Sequence, residues 1–170
     1  MNMKKVLAVL LPLGLCATAA FGWAQETVVR WSGIRGVITA PGVDNPVGGI
    51  KAGAGPWTVR GGHARVNITD GKAFFDVEGL VLNGSNSSGT PGPVTSVNGT
   101  LVCNAGATTQ TVLDTRAVSL NGQGDAHFSG QLSGVPATCD NPVFLIRIAA
   151  PAGAAGRWIA TGDVRTIDND

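Results

Sequence analysis

Residues 63–82 read HARVNITDGKAFFDVEGLVL, and the alternation within them decides the fold class. Ala64, Val66 and Ile68 alternate with His63, Arg65 and Asn67, the period-two pattern of a strand with one wet and one dry face. Asp70 and Gly71 tolerate the positive φ of a turn, and Ala73, Phe75 and Val77 then resume the alternation. The stretch predicts a β-hairpin whose apolar side seeds the core. Past Gly79 the apolar phase shifts to Leu80 and Leu82, and a glycine at such a shift marks a β-bulge.

Outward from the hairpin, the same two-residue period recurs. Residues 26–31 (ETVVRW) predict a strand that continues through residues 34–39. Residues 40–56 are rich in proline and glycine and read as a long loop, of a length that in compact domains often serves function. A second loop is expected at residues 83–93, NGSNSSGTPGP. Asn98 and Gly99 lie between two β-rich runs and predict a second tight hairpin. Residues 108–120 read as two strands or one long bent strand, and residues 125–132 alternate through Ala126, Phe128 and Leu132. Residues 143–148, VFLIRI, form the most continuous apolar run and predict a central strand buried on both faces. Residues 157–165 alternate once more, and the terminal DND is expected to fray. The motif DNPV occurs at residues 44–47 and 140–143, where Asp-Asn-Pro predicts a turn before an extended segment. No segment of residues 25–170 shows helical periodicity with caps. About nine to eleven short strands with regular turn signals predict an all-β fold, an antiparallel β-sandwich of Ig-like or jelly-roll-like kind.

The first residues have another character. Lys4 and Lys5 precede an apolar run over residues 6–15, and small residues follow up to Ala24. This is the layout of a secretory signal peptide of bacterial type over residues 1–24, leaving residues 25–170 as one secreted domain of about 146 residues. The apolar run falls short of the roughly 20 residues that span a bilayer, so no membrane span is expected after cleavage. Cleavage removes two lysines and no acid, taking 12 basic and 11 acidic residues to 10 and 11. The near-neutral balance carries no basic stripe to collect phosphates, which excludes nucleic acid as a partner. Charged residues make up 14% of the chain, against about 25% on average, and such a surface suits contact with a partner because less charge must be desolvated. Cys103 and Cys139 are the only cysteines left after cleavage, and in an oxidising compartment this even pair is expected to form a disulfide.

Few side chains qualify for chemistry. His63 and His127 both fall on the wet side of predicted strands, where either could work with a nearby carboxylate such as Asp76 or Asp125 as a general base. No HxH, HExxH or CxxC grouping accompanies them, and no serine sits in a GxSxG turn, so neither a metal nor a catalytic centre is expected. Asp76, Glu78, Asp114, Asp125 and Asp163 are the acids from which a hydrolytic pair would have to come. Trp31, Trp57 and Trp158 would form a carbohydrate-stacking platform if exposed together, whereas near strand ends tryptophan caps the core. The run GGHARVNITDGKAFFDVEGLVL with the later GTPGPV resembles the secreted CHRD domains over about a third of the mature chain. The histidine-containing motif of that family is missing between the two pieces, so the resemblance implies no site residue.

These observations lead to an expectation of an exported, non-catalytic protein, secreted or periplasmic, without cofactor. It would act by surface binding or assembly on a protein or glycan partner in the envelope or outside the cell. The alternative expectation is a small secreted hydrolase using His63 or His127 with a neighbouring acid.

Overall fold

A computed structural model describes residues 26–40 and 42–169; the expected signal segment, residues 1–24, lies outside the described residues. The eleven strands are β1 (Thr27–Gly36), β2 (Trp57–Thr58), β3 (Gly61–Asn67), β4 (Lys72–Glu78), β5 (Val81–Leu82), β6 (Ser96–Cys103), β7 (Thr111–Asp114), β8 (Val118–Ser119), β9 (Ala126–Gln131), β10 (Val143–Ala150) and β11 (Trp158–Asn169). No helix occurs among the described residues. Nine strands form one sheet in the order β7-β6-β10-β11-β1-β3-β4-β9, with β8 on the same edge of β6 as β7, and β2 pairs with β5 as a small ribbon. All of these ladders are antiparallel.

The sheet curls on itself into a half-barrel that is packed like a sandwich. Four strand-to-strand steps separate β10 from β4, which in a flat sheet would be roughly 19 Å. Yet the rings of Phe75 on β4 and Phe144 on β10 have centroids 5.9 Å apart, and Phe75 stacks on Phe128 of β9 at 5.8 Å. The two ends of the sheet therefore face each other across a core of phenylalanines, joined by Leu101, Ile146, Val66 and Val77, all nearly inaccessible to water. Their inward alternation is the pattern that the sequence shows at residues 64–77.

Asn98 and Gly99 do not turn the chain. They lie within β6, paired with Arg147 and Ile146 of β10, so the expected hairpin there is overturned. The physical reason is space. A Cβ on Gly99 would stand 2.7 Å from the Phe144 ring and 2.8 Å from that of Phe75, so glycine is needed here to seat two rings in the strand's path. The glycine serves close packing rather than a turn. The same edge of β6 settles the open reading of residues 108–120 in favour of two strands, β7 and β8, each with its own ladder to β6. The N–H of Thr115 donates to Gly99 O (2.8 Å) and its Oγ1 accepts from Gly99 N (3.0 Å), bridging β7 and β8.

β10 is buried on both faces as expected, and the long loop is the cause. Phe144, Ile146 and Ile148 point into the half-barrel, while Leu145 lies on its outside next to Val102 and Ile159, and all three of these are inaccessible. Residues 44–53 lie over that outer surface. Gly48 sits against Val102 and Gly53 against Ile159, and Gln110 Nε2 donates to Gly48 O (2.8 Å). The two Asn-Pro turns also behave alike, since Asn45 and Asn141 both adopt positive φ (38° and 46°).

The C-terminal end is not frayed as far as residue 169. β11 runs beside β1 along its whole length, pairing Thr27 with Asn169 and Val28 with Asp168, and Asp168 accepts from Arg30 Nε at 2.6 Å. Midway, the ladder is interrupted at Val164 without a change of register; its φ is 49° and it is 62% exposed. A β-branched residue in the left-handed region costs of order 1–2 kcal/mol, and an exposed one gives up little burial when it is removed. Val164→Gly is accordingly expected to stabilise the protein by about 1 kcal/mol and to raise the thermal midpoint by about 2–4 °C, measured by scanning calorimetry. An unchanged or lowered midpoint would refute the assignment of strain.

Gly79, with φ of 64°, ends β4 and passes the chain to β5 and its different partner β2, so the phase shift there is a strand end and not a bulge within β4; this bend is latched by a carboxylate. Asp125 Oδ1 accepts the Gly79 N–H at 2.9 Å and Oδ2 accepts from Asn121 at 3.2 Å; the first bond chiefly, then the second, hold the Asp125 carboxyl below the usual aspartate range. A depressed folded-state value contributes stability above the unfolded value near 3.8 and loses it as pH falls through the folded value. Asp125→Asn, which keeps an acceptor oxygen, is expected to flatten the fall of the thermal midpoint below about pH 4, and parallel curves would rule this out.

Candidate functional site

The loop over β6, β10 and β11 leaves the other half of the sheet's outer surface bare. There the outward positions of β1, β3, β4 and β9 stand in rows fixed by register. One row runs Arg30, Arg65, Phe74, Ser129, and beside it His63, Asp76 and His127 lie directly opposite one another on β3, β4 and β9. The two expected histidines are thus brought together from residues far apart in sequence, flanking one carboxylate.

His127 Nδ1 lies 3.2 Å from Asp76 Oδ2, with the two side chains 58% and 34% exposed. Phe74 is the hub of the group. Its ring centroid is 5.1 Å from that of His63 and 5.0 Å from that of His127, the latter edge-on, and the Arg65 guanidinium lies over it at 5.2 Å. An exposed cation–π contact of this kind stabilises by about 0.5–1 kcal/mol, enough to favour one orientation of the guanidinium. To one side is a shallow depression of about 480 Å³ bordered by Arg30, Arg65, Lys72, Phe74, Ser129 and Gln131. To the other, beside His127 and Asp76, Arg60 links Glu78 (3.3 Å) and Asp125 (3.6 Å).

The tryptophans go elsewhere. Trp31, Trp57 and Trp158 are 2%, 5% and 7% exposed. Trp31 packs on Phe144 at 5.4 Å, and Trp158 Nε1 donates to Asn45 O of the long loop at 3.0 Å. They cap the core and do not form a shared exposed platform, because the loop and the curl of the sheet cover the surfaces from which they project. The remaining acids scatter. Asp114 receives two bonds from Arg147 Nη1 (2.9 and 3.0 Å), and Asp163 pairs with Arg35, which holds its carboxyl below the usual range. No group of three or more His, Cys, Asp or Glu side chains among the described residues is placed to hold a metal ion.

The Cys103–Cys139 disulfide is formed. It ties the loop after β9 to the end of β6, and Asn104 reinforces it by exchanging two bonds with Asp140 (2.9 and 2.8 Å).

Sequence reasoning misses Phe74 and Arg65, although a signal for both exists. With Ala73, Phe75 and Val77 assigned inward, Phe74 is a phenyl ring on the wet face, and the hairpin register places Arg65 opposite it. Arg30 carries no such signal, since its neighbours come from β3 and β11.

No protein-family model matches the chain, and no curated protein or solved structure matches it either. The likeness to CHRD domains rests on the quoted residues alone, and the site is read from its own geometry.

Proposed function

We propose that this is an exported, non-catalytic binding protein that acts through the bare outer face of β1, β3, β4 and β9. The observation that carries this reading is the division of the outer surface. One half is sealed by residues 44–53, while the other presents the Arg65–Phe74 stack, His63 and His127 to solvent. Export is supported by the disulfide and by the signal-like layout of the first 24 residues, and no helix among the described residues is long and apolar enough to cross a membrane. The partner is an envelope or extracellular glycan or protein.

Phe74→Ala and Arg65→Ala are each expected to reduce, by several-fold, the fraction of mature protein that co-sediments with insoluble envelope material, without moving the urea midpoint by more than about 0.5 kcal/mol. Retention equal to wild type in both variants would sink the reading.

The His127–Asp76 contact favours one second reading, a hydrolase in which Asp76 orients the His127 imidazole as general base. Both groups are open to water, and a panel of chromogenic esters and glycosides decides the matter. Turnover abolished by His127→Ala and by Asp76→Asn would establish the hydrolase, while the binding reading expects no turnover to abolish.

A further inference from the structure

We infer that the bare face binds a carboxylated polysaccharide, with the Arg65 guanidinium taking a sugar carboxylate and Phe74 with His63 receiving the apolar face of the ring. The inference rests on the binding reading above and names its ligand. Arg30 and Arg65 are direct cross-strand partners, an arrangement that disfavours the fold because like charges face each other. Asp168 takes Arg30 Nε at 2.6 Å and Asp70 takes Lys72 Nζ at 2.7 Å, so both of those cations are answered within the chain. Arg65 has no carboxylate partner among the described residues. Its guanidinium instead rests on Phe74, which fixes the plane and leaves N–H groups free to meet a planar carboxylate in bidentate fashion.

The surroundings specify the rest of the ligand. Ser129 and Gln131 bring a hydroxyl and an amide to the depression, which suits a polyhydroxylated chain. Glu26, whose Oε2 accepts from Asn67 Nδ2 at 3.2 Å, and Asp76 also stand at this face, so a densely charged polyanion meets repulsion that spaced carboxylates avoid. The depression is shallow and encloses nothing, which fits a long chain held by several weak contacts better than a single small molecule.

The test is affinity electrophoresis of the mature protein in gels containing polygalacturonate, neutral dextran or dextran sulfate, with the urea midpoint of every variant measured alongside. Retardation is expected in polygalacturonate and not in neutral dextran. Arg65→Lys, which keeps the charge and loses the fork, is expected to weaken binding about tenfold. Phe74→Ala is expected to weaken it several-fold, and Arg116→Ala, at a cation outside this face, to leave it unchanged. No retardation in polygalacturonate overturns the inference, as does retention of full affinity by Arg65→Lys or stronger binding to dextran sulfate, which would indicate bulk charge attraction. If polygalacturonate fails while Phe74→Ala still abolishes envelope binding, the ligand class is wrong and the face assignment stands.

Discussion

Phe75→Ala is expected to lower stability by about 3–5 kcal/mol, far more than truncation of any side chain on the bare face. Phe75 is wholly buried and its ring meets Phe128 and Phe144, so truncation opens a cavity where the two ends of the sheet touch. The contact with Phe144 joins strands four steps apart, and the ladders on either side hold the surroundings in place, which limits how far the site can collapse. With typical domain stabilities of about 5–15 kcal/mol, the variant would unfold at markedly lower urea while its slope stayed near wild type. A loss below about 1.5 kcal/mol would mean that the sheet does not close over this ring. Gly99 makes a related case, because any side chain there must displace the same rings.

Breaking the disulfide comes next. Loop entropy for a sequence separation of 36 predicts a loss of roughly 4 kcal/mol when Cys103 and Cys139 are both replaced by serine or both reduced. The fold is expected to survive near room temperature, because Asn104 and Asp140 still exchange their two bonds and the buried Leu132 still anchors the start of the loop. Unfolding midpoints with and without reductant, with free thiols counted by alkylation, give the answer. Equal midpoints with both thiols demonstrably free would exclude a stabilising role for the bond.

Neither effect is tied to the bare face, so both variants, while folded, should retain binding there. That separation matters in practice. Losses from Phe74 or Arg65 variants report on contact with a partner, whereas losses from Phe75 or the cysteines report on folding, although Phe74 and Phe75 are neighbours in sequence. Their opposite roles follow from the pleat, which sends successive side chains to opposite faces.

The β3–β4 hairpin is legible in the sequence because its two strands are adjacent and share one dry face, and the burial of Ala64, Val66, Phe75 and Val77 follows that alternation. The Asn98-Gly99 signal misleads because a turn preference is local, while the demand for space beneath Phe75 and Phe144 arises from strands brought together only by the curl. The long loop is legible as a loop but not as a cover, since what it covers, Val102 and Ile159, lies about fifty and a hundred residues further on. The tryptophans are legible as core caps or as a platform, and only their surroundings distinguish the two.

Sequence by itself determined the all-β class, the disulfide pair and the side of each strand that His63 and His127 occupy, because these depend on residue type and a two-residue period. Tertiary structure alone decided that the two histidines share Asp76, that Arg65 is held over Phe74 opposite Arg30, and that one half of the outer surface is sealed while the other is bare. Such juxtapositions depend on strand order and register between distant segments, which local side-chain preferences do not encode.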